Sequence, residues 1–275
     1  MPLKKYDLDD KGTGHVFQRN KLVAAERSKF QNIEISDLDI LGRVLVLDNI
    51  IQLSELDCDR YHEVFAHIPM SNIPDPQSAL ILGGGDGILA KELLKYENLI
   101  VDMVDIDERV CALSKEYLAS MHGHSFRNPR LNLVFEDALA FCKRSTTKYD
   151  VIFADITDPH PDSPSKSLLS DESISLYKSL LRPGGVLVAQ TDNVQIAPQH
   201  YLNIAEKFRE NFELVGDFAT VALTLSSIFS FVWASDSTEV RPVDTTPGIE
   251  LNWLNRRRAE FCFEVLELAL GDNIT

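Results

Sequence analysis

From Ala79 onward, short apolar runs alternate with amphipathic stretches, and this alternation constrains the fold more than any other feature. The runs are "ALIL" (79–82), "LIVDMVD" (99–105), "LNLVF" (131–135), "YDVIFAD" (149–155) and "GVLVAQ" (185–190). Their length and β-branched content suit buried strands. Helical spacing fills gaps between them at 88–96, 108–118 and 171–181. Strands joined by such crossovers take right-handed connections and build a mostly parallel, doubly wound α/β sheet. Two later runs, near 212–218 and 229–234, read as an antiparallel pair that closes it.

Upstream the texture differs. From about Phe30 to Leu53, "FQNIEI" and "GRVLVLDNIIQLSE" alternate apolar and polar residues around turns at Leu41-Gly42 and Asp48-Asn49. That pattern predicts a small antiparallel meander. A helical stretch, "LDCDRYHEVFAHIPM", follows with Val64, Phe65 and Ile68 on one face, and the prolines of "SNIPDPQS" end it. The expected division is residues 1–72 for the meander and its helix, and 73–275 for the α/β unit.

"LILGGGDGILAKELL" reads as a strand, a tight glycine turn and a helix. Gly83, Gly85 and Gly87 fit GxGxG, which lets a ligand approach the backbone beside a helix N-terminus. The dinucleotide fingerprint needs a glycine at 88, where Ile stands, and this counts against NAD. GxGxG followed by an acid at the end of the next strand resembles the nucleoside loop of Rossmann-like, class I methyltransferase-type folds. Asp105 is that acid, a candidate for ribose hydroxyls, with Asp107 free to cap the next helix. Asp137, followed by Ala138, either accepts the exocyclic amine of adenine or caps a helix. Asp155 and Asp158 sit three apart where the fourth strand stops, before a proline-rich loop.

In order and spacing, "RVLVLDNIIQLSE", "YHEVFAH", "LILGGGDG", "DIDERV", "VIFADITDP" and "LLRPGGVLVAQ" resemble the spermidine synthase family of aminopropyltransferases. The likeness runs from about Phe30 to Gln190. It implies aminopropyl transfer from decarboxylated S-adenosylmethionine to a putrescine-like di- or polyamine, with release of methylthioadenosine and no permanently bound cofactor. It makes Asp155 the general base and Asp158 the anchor of the acceptor amine. Gln52, Tyr61 and His62 match residues where donor and acceptor meet. Asp86 matches the acid that holds the donor's primary amine, Asp105 the ribose ligand and Asp137 the adenine contact. The family also implies a homodimer or homotetramer.

Departures fall on the acceptor side. "HPDSPSKSLLS" replaces a shorter loop and brings His160 and Asp162 toward the site. Thr224-Leu225-Ser226 stands where the family has an amine-contacting tyrosine, and Asp192 stands in for a glutamate. Two other functions use the same scaffold: methyl or aminocarboxypropyl transfer from intact S-adenosylmethionine, and a non-catalytic nucleoside- or polyamine-binding paralogue.

Charge and cysteines narrow the partners. Lys+Arg is 27 against Asp+Glu 42, a net charge of −15, which repels nucleic acid and anionic lipid. Cys58, Cys111, Cys142 and Cys262 form no CxxC pair, which speaks against zinc or a disulfide framework and for a reducing, cytoplasmic setting. "MPLKKYDLDD" lacks a signal-peptide core, and "VALTLSSIFSFVWAS" is too short and hydroxyl-rich to span a bilayer. His122 and His124 have no third ligand at suitable spacing, so no metal site is expected. Arg256–Arg258 read as an exposed helix face.

Overall fold

The computed structural model describes residues 2–8, 13–156, 167–196, 198–225, 227–242, 244 and 248–270. Five strands form a closed barrel: β1 (Leu3–Asp7), β2 (Gly14–Arg27), β3 (Asn32–Leu38), β4 (Gly42–Leu47) and β5 (Ile50–Ser54). The expected meander accounts for β3 to β5. Asp48 and Asn49 take φ of 44° and 70° in the β4–β5 turn, the positive values that a two-residue hairpin requires. The meander is incomplete as an account of this region, because β1 and β2 precede it. β1 pairs antiparallel with β2 and reaches Ile50 of β5 in parallel, closing the barrel. Closure removes the edges that an open three-stranded sheet would expose.

α1 (Cys58–Met70) leaves the barrel and runs onto the second unit. There, β6 (Ser78–Gly83), β7 (Ile100–Asp105), β8 (Leu131–Phe135), β9 (Tyr149–Asp155) and β10 (Leu181–Asn193) are parallel. β11 (Leu214–Ala222) and β12 (Ser227–Ser235) form the expected antiparallel pair. The sheet order is β11-β12-β10-β9-β6-β7-β8. The chain winds outward from β6 through β7 to β8, then returns to β9 on the other side of β6. The C-terminal ends of β6 and β9 therefore flank a topological switch point, where ligands of doubly wound folds bind.

Alternate residues of each central strand face opposite layers, as the period of two requires. Ala79 and Ile81 join Val101, Met103, Val151 and Phe153 under α1, α2 (Ile88–Leu93) and α8 (Arg256–Leu270). Leu80 and Leu82 join Ile152, Ala154, Leu187 and Ala189 under α5 (Ala138–Arg144), α6 (Asp171–Leu180) and α7 (Pro198–Asn211). α3 (Glu108–Tyr117) and α4 (Ala119–His122) sit beneath the barrel. Ile33, Ile35, Leu45 and Leu47 pack there on Ile88, Val110, Leu113 and Met121.

Polar contacts fix the angle between barrel and sheet. Asp107 caps α3 by accepting from Arg109 N at 3.1 Å, while its other oxygen accepts from Ser28 Oγ at 2.6 Å and Gln31 Nε2 at 3.0 Å. Arg256, Arg257 and Arg258 are exposed on α8, as expected. Among the described residues, no helix is long and apolar enough to cross a membrane.

Candidate active site

β9 carries Asp155 to the carboxyl edge of the sheet, directly opposite Gly83 of β6. The glycine turn folds over it. Gly84 N donates to Asp155 O at 3.1 Å, and Gly84 has φ of 74°. A Cβ there would lie 2.8 Å from Ile81 Cγ2 and 3.2 Å from Asp155 Oδ2. Only glycine lets the turn lie this close to the carboxylate. At Gly85 a Cβ would come within 2.7 Å of Asp105 Oδ2. The loop thus touches the acids that end β7 and β9.

Asp86 Oδ1 accepts from Ile88 N at 2.8 Å, holding the acid at the start of α2. Asp105 accepts from Asp107 N at 2.7 Å and from the Gly85 N–H. His62 is 3 % exposed, and its Nδ1 lies 2.7 Å from Cys58 O. A carbonyl only accepts, so Nδ1 carries a hydrogen and Nε2 faces the site. Nε2 is 3.9 Å from Asp86 Oδ1. Donor atoms of His62, Asp86 and Asp155 all lie within 4.8 Å of one another, the only such group among the described residues. One cation can touch all three. Tyr61 frames this cluster, with its ring 4.9 Å from that of His62, 5.6 Å from Phe229 and 5.1 Å from Phe231.

The electrostatics are one-sided. Asp155 Oδ2 is buried and, among the described residues, has no hydrogen-bond partner. Burial raises its pKa well above the usual carboxylate value, and the nearby charges of Asp86 and Asp105 raise it further. Asp105 is pushed up to about 6, chiefly by burial and then by Asp107 and Asp86, against the lowering effect of its two backbone hydrogen bonds. Among the described residues no lysine or arginine pairs with any of these three acids. The cluster is a preformed site for positive charge, and a cation entering it returns Asp155 toward its ionised form.

The remaining sequence candidates are distributed around this centre. Gln52 is half-buried on β5, with its side chain donating to Ile50 O at 3.3 Å. Asp137 ends the β8 connection as the cap of α5, accepting from Ala140 N at 2.8 Å, with Ala138 buried beside it. Asp192, next to last in β10, has φ of 77°, and its carboxylate lies 3.8 Å from His200 Nδ1. Asp158, His160 and Asp162 lie outside the described residues. His122 is tied up locally, with Nε2 facing Ser114 O at 3.2 Å and Nδ1 accepting from His124 N at 3.1 Å.

Two buried carboxylates beside the site were not singled out from the sequence. Glu63, fully buried, accepts from the backbone N–H groups of Asn252, Trp253 and Leu254 at 2.6–2.8 Å. It pins the segment before α8 against the helix that carries Tyr61 and His62. Asp57 reaches across to Thr224. A charged residue on a helix buried on nearly every face was the available signal for Glu63. The partners are distant in sequence and had no local signature.

Residues 58–243 match the spermine/spermidine synthase domain. The chain belongs to the spermine/spermidine synthase family. Residues 5–55, which include most of the barrel, match the spermidine synthase tetramerisation domain of that family. The chain is 34% identical over 227 residues to a polyamine aminopropyltransferase of Pyrobaculum calidifontis, covering 81% of this chain and 78% of that one. It is 31% identical over 241 residues to the polyamine aminopropyltransferase of Erwinia tasmaniensis, covering 87% and 84%. A crystal structure of spermidine synthase in complex with the transition state analogue AdoDATO superposes with a TM-score of 0.89 at 25% identity, over 98% of this chain and 95% of that one. Spermidine synthase from Thermotoga maritima gives 0.88 at 25% identity, over 98% and 94%.

Proposed function

We propose that this family member transfers the aminopropyl group of decarboxylated S-adenosylmethionine to a small di- or polyamine, releasing methylthioadenosine, with Asp155 as general base. The observation that carries the reading is the buried, unpartnered Oδ2 of Asp155 beside Asp86 and His62. An alkylammonium with pKa of about 10.4 is not nucleophilic at neutral pH. A carboxylate whose own pKa is raised by burial and like charge is a stronger base for removing that proton, a contribution of about 10²–10⁴-fold. The freed amine lone pair attacks the methylene carbon next to sulfur. The C–S bond breaks with its electron pair going to sulfur, so the sulfonium becomes a neutral thioether.

In this reading the nucleoside lies over Gly83, Gly85 and Gly87, with Asp105 on the ribose and Asp137–Ala138 beside the adenine. Asp86 holds the donor's primary ammonium, Gln52, Tyr61 and His62 line the junction, and Asp158, His160 and Asp192 serve the acceptor. Orientation by these groups supplies the in-line geometry. The donor is preferred in its decarboxylated form because the acids of the centre pair with no lysine or arginine among the described residues, and a carboxylate on the donor would be repelled by them. The barrel supports assembly as a homo-oligomer, with Leu3 and Val16 exposed on its outer face, and the setting is cytoplasmic.

The test is a product assay by mass spectrometry, with decarboxylated and intact S-adenosylmethionine and a panel of putrescine, cadaverine, agmatine and spermidine. Methylthioadenosine formed only with the decarboxylated donor and an amine is the expected result. No methylthioadenosine with any amine overturns the reading.

A further inference from the structure

The β5–α1 junction holds a buried carboxylate to which the proposed reaction gives no role. Asp57, Ser54 and Thr224 are 6 %, 0 % and 2 % exposed. Asp57 stands immediately before α1, where an aspartate ordinarily accepts from the first free N–H groups of the helix. Its side chain makes no such bond. Oδ2 accepts instead from Thr224 N at 3.0 Å, and Oδ1 accepts from Ser54 Oγ at 3.0 Å and from Thr224 Oγ1. The two hydroxyls also meet each other. A carboxylate out of water is tolerable only when bonded this fully, so the three residues form one unit.

That unit joins three segments around the site. Ser54 ends β5, two residues beyond Gln52. Asp57 begins the helix that carries Tyr61 and His62. Thr224 lies in the turn between β11 and β12. β12 runs antiparallel to β10, so this turn lies at the carboxyl edge where Asp155 ends. Further bonds hold it there: Asn193 Nδ2 donates to Leu225 O at 3.1 Å, and Arg60 Nη1 donates to Val221 O at 3.0 Å. In the sheet order, β9 with Asp155 has β6 and β7 on one side, with the glycine loop and Asp105, and β10 and β12 on the other. Displacement at the carbon beside sulfur needs the amine opposite the leaving group. The acceptor therefore enters on the β10–β12 side, where the Thr224 turn stands. Thr224 itself offers the acceptor no hydroxyl, because that group is committed to Asp57.

Resting on the aminopropyl-transfer reading, we propose that Asp57 is a positioning residue for the acceptor half of the site. It clamps the β11–β12 turn to the first turn of α1, so that the wall of the amine pocket keeps a fixed register with Tyr61 and His62. Asn at position 57 keeps the shape but turns an N–H₂ toward a donor, while Val at position 224 removes only the hydroxyl.

Steady-state kinetics with the amine, together with calorimetric titration of methylthioadenosine, test the clamp on the full chain. For Asp57→Asn and Thr224→Val the acceptor KM rises about tenfold, the scale of one lost charge-assisted hydrogen bond, while methylthioadenosine affinity stays within about twofold. Thr224→Ser keeps the hydroxyl and restores the wild-type KM. The double variant is no worse than Asp57→Asn alone. An unchanged acceptor KM overturns the clamp. So does a loss of nucleoside affinity equal to the rise in KM, or a Thr224→Ser variant as impaired as Thr224→Val. If Asp57→Asn does not fold, the Thr224 pair carries the same comparison. A wild-type protein that makes no methylthioadenosine sinks the reading of the reaction instead, so the two failures are distinct.

Discussion

Asp105→Asn should make the empty protein more stable and its nucleoside site worse. The folded pKa of Asp105 is about 6, raised from 3.8 chiefly by burial. Between those two values the folded state binds the proton and the unfolded state has lost it, so stability falls as pH rises through this window. Above pH 6 the full penalty is present: about two pH units at ~1.4 kcal/mol each, or about 3 kcal/mol. Asn carries no charge and keeps an oxygen to accept from Asp107 N, but its amide has a desolvation cost of its own. A net gain of about 1–2 kcal/mol at pH 8 is therefore expected, or roughly 2–8 °C in Tm for a chain of this size. At pH 4 the wild-type acid is largely protonated in the fold, so the charge penalty is nearly gone and the variant should melt below wild type by the cost of the amide, about 1–2 kcal/mol. Thermal melts at pH 4 and 8, with and without methylthioadenosine, read both effects at once. The ligand-induced rise in Tm, which follows RT ln(1 + [L]/Kd), should shrink in the variant. A variant that melts below wild type at pH 8, or one with an undiminished ligand shift, would refute the reasoning.

Asp155→Asn should lower turnover by about 10²–10⁴-fold while methylthioadenosine still binds; retention of a tenth of the rate in single-turnover assays would rule out the base assignment. Glu63→Gln leaves one acceptor oxygen for three N–H donors and should cost about 1–3 kcal/mol in urea unfolding; an unshifted midpoint would show that the segment before α8 does not depend on this carboxylate. Gly84→Ala places a Cβ against Ile81 and Asp155 at a backbone angle of 74°, and left-handed backbone alone costs about 1–2 kcal/mol for alanine. Calorimetry should show nucleoside affinity reduced by about tenfold or more, and wild-type affinity would mean the turn has room to spare.

Much of this fold was legible because the central strands are buried on both faces and read as unbroken apolar runs. "LNLVF" and "YDVIFAD" coincide with β8 and β9 at both ends. β1 and β2 were not, because the barrel leaves much of β2 half-exposed: Val16 and Leu22 alternate with His, Gln, Arg and Lys. α7 was overlooked although Tyr201, Ile204, Ala205 and Phe208 repeat at helical spacing and are buried. At the site, the motifs named Asp86, Asp105 and Asp155 from sequence, but not what burial does to them. The roles of Asp57 and Glu63 were not accessible in this way. Thr224 lies 167 residues from Asp57, and the partners of Glu63 lie 189–191 residues away; a hydrogen bond over that separation leaves no periodicity or turn signal to read.

A net charge of −15 favours cationic ligands in general, but overall charge is a blunt guide, since many of the acids are matched. Glu92 is surrounded by His67, Lys91 and Lys95, Glu34 by Lys4 and Arg19, and Asp59 by Lys91. What distinguishes Asp86, Asp105 and Asp155 is that the fold brings three acids together and, among the described residues, supplies no lysine or arginine partner. Burial and mutual repulsion raise Asp105 and Asp155 in the empty site, and that unfavourable energy is released when positive charge enters. A donor with a sulfonium and an ammonium, followed by a cationic amine, gains this relief at each binding step. A donor that carries its own carboxylate forfeits part of it. Discrimination between the two donors thus rests on uncompensated negative charge, and removing part of it, as in Asp86→Asn, which keeps an oxygen to accept from Ile88 N, should erode the preference. The ratio of kcat/KM for the two donors measures it, and a ratio unmoved in a folded, nucleoside-binding variant would show that shape rather than charge makes the choice.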